Sequence, residues 1–163
     1  MKKIWAPWRL EYIKSEKEEG CFLCRACAER EDRRNLLLRR GRTCALIMNR
    51  YPYNNGHLMA FPYRHQASIA EIGSEERLEL MDLVDESIKV LSKTLNPDGF
   101  NVGFNLGQVA GAGLETHLHA HIVPRWSGDT NFMPVLGEVK VIPQALLDLY
   151  DLLAPEFDAN KQS

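Results

Sequence analysis

The sequence predicts an α+β domain, an antiparallel sheet of about five strands with one long and one or two short helices. Three observations carry that reading. The apolar segments run mostly strand, strand, helix, strand, strand, without the strict alternation that parallel βαβ units require. The stretch Tyr51-Pro52-Tyr53-Asn54-Asn55-Gly56 joins Pro to Asn-Gly, turn chemistry strong enough to separate two strands. From Ser74 onward, Leu78, Met81, Val84, Ile88, Leu91 and Leu95 recur at helical spacing, with Ser74 as cap and Glu75 and Glu76 in the first turn.

The elements follow in order. A charged, helix-prone opening segment reaches Gly20, and Cys21-Phe22-Leu23-Cys24 reads as a tight knuckle before a solvated charged stretch, Glu29 to Arg34. Leu36 to Leu38 and Thr43 to Asn49, separated by the turn Arg40-Gly41-Arg42, read as a strand pair. The Asn-Gly turn delivers His57 to Phe61 as the next strand, closed by Pro62. After the long helix, Asn96-Pro97-Asp98-Gly99 is a stop, and Phe100, Val102 and Phe104 alternate with Asn101, Gly103 and Asn105 as a strand with one buried face. A glycine and alanine loop, Gly107 to Gly113, leads into a histidine-bearing strand that Pro124 terminates. Pro143 to Leu153 reads as a short closing helix.

With 163 residues and 45% hydrophobic content, the chain fits one domain over residues 1–163, with an N-terminal arm at about 1–20 and a C-terminal extension at about 127–163. A formal net charge of -2 argues against nucleic acid as the main partner. The N-terminus lacks a signal-peptide apolar core and no stretch is apolar enough to span a bilayer, so the expected location is cytoplasmic, with no membrane partner. In that compartment Cys21, Cys24 and Cys27 read as reduced thiols or metal ligands, and Cys44 as core packing. Trp5 and Trp8 read as core cover or a partner-binding arm; Trp126 packs over a base or across a subunit boundary.

The chemistry concentrates in His117-Leu118-His119-Ala120-His121-Ile122-Val123. In an extended strand the three imidazoles project to one side while Leu118, Ala120 and Ile122 project to the other. Imidazole titrates nearest neutrality, so such a row can supply a nucleophile, proton donors and metal ligands. The glycine loop before it lets backbone N–H groups approach a ligand closely. An enzyme is expected.

These residues resemble the signature of the histidine triad family, His-φ-His-φ-His-φ-φ with φ apolar. The likeness extends to Asn49, Gly56-His57, Asn105 and Val123-Pro124-Arg125, in family order. The flanks Trp5-Ala6-Pro7-Trp8-Arg9 and Pro124 to Met133 are similar to the microbial branch often labelled diadenosine tetraphosphate phosphorylase. The resemblance implies that His119 attacks the α-phosphorus of a nucleotide to form a nucleotidyl-histidine, with His121 donating to a phosphate oxygen and His117 completing the triad. It implies nucleotide contacts from Asn49 on the ribose, Leu46 and Ile47 near the base, Asn105 along the phosphates, and the backbone N–H groups near Gly113 and Leu114. It also implies a homodimer, a nucleotide or dinucleoside polyphosphate as the ligand, and magnesium, if present, carried by the substrate.

In zinc-bearing relatives a second set supplies four ligands to a structural metal, and its counterparts here are Cys21, Cys24, His65 and His117. Cys24-x-x-Cys27 is a competing pair, and buried thiols without metal are the plain alternative. His57 reads either as a neighbour of the nucleotide or as a structural histidine. Ala112 and Gly113 stand where the phosphorylase type tends to carry Gly and Ser, which leaves water and inorganic phosphate both open as acceptors. Nucleoside phosphoramidate hydrolysis, a regulatory nucleotide-binding module with little turnover, and a catalytic zinc on His117, His119 and His121 are the alternatives.

Overall fold

The computed structural model describes residues 20–129, 142 and 144–159. In chain order the elements are α1 (Phe22–Glu29), α2 (Asp32–Asn35), β1 (Leu37–Arg40), β2 (Cys44–Met48), β3 (Leu58–Pro62), α3 (Ser74–Leu95), β4 (Gly99–Phe104), β5 (Ala120–Arg125) and α4 (Leu146–Ala159). The strands form one antiparallel five-stranded sheet in the order β1-β2-β3-β5-β4. The α+β expectation and the strand count therefore hold. The Trp5–Trp8 segment, the opening helix and much of the stretch after Asp129 lie outside the described residues. Among the described residues no helix is long and apolar enough to cross a membrane.

Strand alternation gives the sheet two distinct faces. Register places Leu46 beside Ala60 and Ala60 beside Ala120, and Met48 beside Leu58 and Leu58 beside Ile122. This is the face that α3 covers, since the Cys44 thiol reaches the Glu76 carbonyl at 3.4 Å. The other face carries Ile47, Met59 and His121 in one row across β2, β3 and β5. Two of the three interior strands, β2 and β3, are buried along their whole length.

Contacts near each end of α3 help to fix it on the sheet. The Glu79 carboxylate accepts from the N–H groups of Arg42 (2.5 Å), Thr43 (2.5 Å) and Cys44 (3.1 Å) and from the Thr43 hydroxyl, so it closes the β1–β2 turn. Burial alone would raise this carboxyl, but those four bonds outweigh it and hold it below the usual range. At the other end Gly56, at φ +74, lies where a Cβ would meet Leu95 at 2.8 Å and Leu91 at 3.2 Å. Any other residue would lift the turn before His57 off the helix.

Several elements differ from the sequence reading. The Cys21 knuckle is the start of a helix, with Cys21 as its N-cap and Leu23 and Ala26 buried one turn apart. Part of the charged stretch after it forms α2. Helix α3 begins one residue past its cap Gly73, whose N–H donates to Glu76 at 2.7 Å. It buries Leu80, Leu83, Val84, Val90 and Leu91, whereas Leu78 and Met81 are 66% and 55% exposed. Of the predicted stripe Val84 and Leu91 are buried and Ile88 and Leu95 pack against the core, so only its first turn, Leu78 and Met81, faces away, with Leu80 and Leu83 taking their place. The ion pair from Glu76 to Arg64 at 2.6 Å anchors this end of the helix.

Strand β4 has no buried face, with Val102 45% exposed and Phe100 and Phe104 half-buried. Pro124 does not end its strand. Its carbonyl accepts from Asn54 on the side where β3 has already stopped pairing, at Ile122, so the missing N–H falls on an open edge. The closing helix starts at Leu146 and runs through Pro155 to Ala159 because Leu149, Leu153 and Phe157 bury one stripe. Tyr150 ties it to the sheet by donating to the Leu37 carbonyl at 3.0 Å.

Candidate active site

The three motif histidines enter the sheet in sequence. His117 and His119 lie on the approach and His121 lies in β5, which starts at Ala120. The approach is pinned by the Leu118 N–H, which donates to the Gln66 carbonyl at 2.6 Å. All three rings are buried, and so is His57.

Backbone carbonyls determine which nitrogen carries each proton, because a carbonyl can only accept. His119 Nδ1 lies 2.8 Å from the His117 carbonyl, so Nδ1 donates and Nε2 keeps its lone pair. His117 Nε2 lies 2.8 Å from the Pro62 carbonyl, so its Nδ1 is the bare nitrogen. Burial pushes His119 below the ordinary imidazole value against the pull of its carbonyl bond, which keeps the ring neutral at neutral pH.

A second relay ends on His121. His57 Nδ1 accepts from the Tyr53 N–H at 3.0 Å and faces the Asn49 amide nitrogen at 3.2 Å, so the proton of the neutral ring sits on Nε2. That Nε2 donates to His121 Nδ1 at 2.9 Å. The proton of neutral His121 is then on Nε2, a buried atom with no partner among the described residues. An N–H left unpaired in a buried position costs free energy until an acceptor arrives. Burial first, and the neighbouring His119 second, push His121 down to about 4. His119 and His121 meet edge to face with centroids 4.7 Å apart. The arrangement joins a lone pair on one ring to a hydrogen-bond donor on the next, the combination that attack on an anionic phosphorus needs.

Sequence reasoning left His57 undecided and did not single out Tyr53 at all. The signal was the position of His57 at the exit of the Pro/Asn-Gly turn, which wraps the Tyr53 N–H around its ring. Asn49, expected on the ribose, bonds the His57 relay and accepts from the Tyr51 N–H at 2.8 Å. Asn105 is half-buried and its amide lies 3.4 Å from the Gly111 carbonyl, within the glycine loop. Gly113 is exposed, with open space around its missing Cβ, and Leu114 is half-buried against the core. Of the two residues expected near the base, Ile47 shares the His121 face but Leu46 does not. Leu46 is fully buried on the opposite side, where α3 packs, because adjacent strand residues point to opposite faces.

Cys21, Cys24, His65 and His117 converge, each offering one ligand atom with all four within 4.8 Å of one another. Cys21 Sγ lies 3.2 Å and Cys24 Sγ 3.5 Å from the bare Nδ1 of His117, and Cys24 Sγ lies 3.4 Å from His65 Nδ1. Two thiols and two imidazoles with one ring nitrogen held by a carbonyl fit a closed tetrahedral metal site. Burial first, then Cys21, push the Cys24 thiol up to about 11, a penalty that a cation between the sulfurs would reverse. Cys27, one turn further along α1, is outside this group. So are His119 and His121, whose Nδ1 atoms are already bonded, and a metal shared by the three motif histidines has no support in this geometry.

Fold and site together define a protein with a cluster of buried histidines and a Cys₂His₂ group beside it. The HIT domain profile matches residues 30–128. The chain is 39% identical to the AP-4-A phosphorylase of Mycobacterium tuberculosis over 96% of its own length and 85% of that protein. It is 31% identical to the adenosine 5′-monophosphoramidase of Schizosaccharomyces pombe over 45% of this chain and 52% of that one. A Zn-bound histidine triad family protein from Mycobacterium smegmatis superimposes with a TM-score of 0.67 at 18% identity, over 88% of this chain and 96% of that one. The chain therefore belongs to the HIT family, and it is an enzyme of the HIT type.

Proposed function

We propose that the chain is a single-domain enzyme that cleaves dinucleoside polyphosphates of the diadenosine tetraphosphate type at the α-phosphorus, through a nucleotide carried on His119. The observation that carries this reading is the bond from His119 Nδ1 to the His117 carbonyl, which leaves Nε2 as a buried, neutral nucleophile. In the first step Nε2 forms a bond to the α-phosphorus as the bond to the bridging oxygen breaks. The departing nucleotide leaves as a phosphate anion and needs no proton at neutral pH. The unpaired Nε2–H of His121 donates to a non-bridging oxygen, and the backbone N–H groups at Gly113 and Leu114 do the same as the phosphorus becomes five-coordinate. Asn105 holds the phosphate chain, Asn49 the ribose, and Ile47 borders the base. In the second step an acceptor oxygen bonds to the phosphorus as the bond to Nε2 breaks, which restores the neutral His119 ring; a water acceptor gives up its proton to solvent, and a phosphate dianion attacks without needing to lose one.

Inorganic phosphate as acceptor makes the enzyme a phosphorylase, and water makes it a hydrolase. The full-length similarity to a phosphorylase supports the first, although neither Ala112 nor Gly113 supplies a hydroxyl for the incoming phosphate. Phosphoramidate hydrolysis is the second reading, supported by the shorter match to a phosphoramidase. Cys21, Cys24, His65 and His117 would hold a structural zinc, which ties α1 to the sheet; magnesium would travel with the substrate. The exposed edge of β4, with Val102 outward and half-buried Phe100 and Phe104, supports a homodimer formed along that strand.

Product analysis with diadenosine tetraphosphate, with and without phosphate, tests the reading. ADP and ATP only with phosphate make it a phosphorylase; AMP and ATP without phosphate make it a hydrolase. His119→Ala is expected to lose at least about 10⁴-fold in kcat, as removal of a nucleophile does. Near-normal turnover in that variant would reject the mechanism.

A further inference from the structure

We propose that Tyr53 is a specificity-determining residue, its ring serving as the stacking platform for the second nucleoside, the half that departs with the leaving phosphate chain. This rests on the reaction proposed above and names how the enzyme distinguishes a dinucleotide from a mononucleotide.

Tyr53 lies in the turn that wraps His57, held by its own N–H on His57 Nδ1. Its ring packs 4.6 Å from His57 at an interplanar angle of 38° and 5.5 Å from His121 at 31°. One side of the phenol therefore lies against the two imidazoles of the relay. The residue is nonetheless 46% exposed, and no described residue bonds its hydroxyl. An aromatic ring that is fixed by its backbone, backed on one side and open on the other is a prepared surface for a flat apolar group.

The direction of the reaction places that surface on the leaving side. In-line attack by His119 Nε2 expels the bridging oxygen on the far side of phosphorus. Tyr53 makes ring contact with His57 and His121 but not with His119, and His121 stands next to the nucleophile at 4.7 Å. His121 thus stands between the nucleophile and the phenol, so a chain that departs past His121 reaches the ring. A dinucleoside polyphosphate also presents two bases, and the buried row of Ile47 and Met59 beside His121 can border one of them. The exposed phenol is open to the other. The π-face of a purine has a partner there, whereas the free phosphate end of a mononucleotide gains nothing from an aromatic surface.

Equilibrium binding in the His119→Ala background tests this without turnover. The two ligands are diadenosine tetraphosphate and adenosine 5′-tetraphosphate, which share the phosphate chain and differ in the second nucleoside. The first is expected to bind about tenfold more tightly, toward the low end of what stacking on an aromatic side chain provides. Adding Tyr53→Ala should erase that ratio, and Tyr53→Phe and Tyr53→Trp should preserve it. Tyr53→Leu, which keeps bulk without a π-face, should also erase it and covers the case in which the alanine variant does not fold. A ratio unchanged by Tyr53→Ala and Tyr53→Leu, equal weakening of both ligands, no initial preference, or no binding of either ligand would each overturn the proposal. Turnover by the wild type is scored separately. Cleavage of diadenosine tetraphosphate with no Tyr53 effect on the ratio rejects the platform alone, and a Tyr53-dependent ratio without cleavage rejects the reaction alone.

Discussion

The two halves of the histidine cluster use the same side chain for different ends. On one side His117 turns its bare Nδ1 toward Cys21 and Cys24, where the ring is a potential ligand. On the other, His119 and His121 have their Nδ1 atoms occupied, one by a carbonyl and one by His57, which leaves their Nε2 atoms for the proposed reaction. The difference lies in which nitrogen the backbone or a neighbour claims. An identical residue type, repeated at every second position, is thereby divided between a ring that faces two thiols, a ring with a bare Nε2 and a ring with an unpaired Nε2–H, which the proposed reaction uses as anchor, nucleophile and donor. The halves meet at residue 117, whose ring faces the thiols while its carbonyl fixes the tautomer of His119.

The sharpest way to break this division is to remove His57, whose Nε2 bonds His121 at 2.9 Å. His57→Ala should lower kcat by about 10- to 100-fold, the range for losing a partner that orients a functional histidine. Thermal stability and metal content should change far less than activity. A variant that loses metal in proportion to activity would show that the halves are not separable.

Cys21→Ser applies the opposite perturbation. We expect the metal-to-protein ratio to fall and Tm to drop by about 5–10 °C, a few kcal/mol for a chain of this size. Turnover of the remaining folded protein should decline less than in His57→Ala, because the His117 carbonyl stays in place. An unchanged ratio of zinc to protein would defeat the structural-metal reading.

Gly113→Ser is a milder test of the catalytic half. The space beside Gly113 is open, so a hydroxyl fits without displacing a neighbour. A several-fold rise in the preference for phosphate over water as acceptor is expected. No change in the product ratio would mean that the acceptor binds elsewhere.

The smallest effect concerns pH. His121 sits at about 4 when folded against an ordinary value of 6.5, so the folded state favours the neutral ring. Its contribution is fully present above pH 6.5 and is lost as pH falls from 6.5 toward 4. His121→Gln should flatten that part of a stability-versus-pH curve. An identical slope in the variant would assign the acid sensitivity to other groups.

Much of this was legible because it depends on local rules. Alternating histidines, Asn-Gly turn chemistry and helical spacing each report a backbone geometry, and the sheet and the long helix followed from them; the Cys₂His₂ group came from the family resemblance, with Cys27 left as a competitor. What was not legible depends on partners distant in sequence. Leu78 and Leu80 both fit a helical stripe, and only the ion pair from Glu76 to Arg64 and the sheet beneath select between them. Leu46 and Ile47 differ by one position, so strand parity sends them to opposite faces, and a reading of apolar runs does not resolve that. The closing helix was read as ending at Leu153, yet packing of Phe157 carries it on through Pro155 to Ala159. The role of His57 required knowing which strand lies beside β3, a pairing with β5 across 64 residues.

The central claim is a transient bond between His119 Nε2 and phosphorus. Rapid acid-free quenching of wild-type protein with diadenosine tetraphosphate labelled at the α-phosphorus, followed by peptide mapping, tests it directly. The label should be recovered on the peptide containing His119, stable to base, lost in acid and absent from His119→Ala. Label that never becomes protein-bound during rapid turnover, or that persists on the His119→Ala protein, would contradict the account.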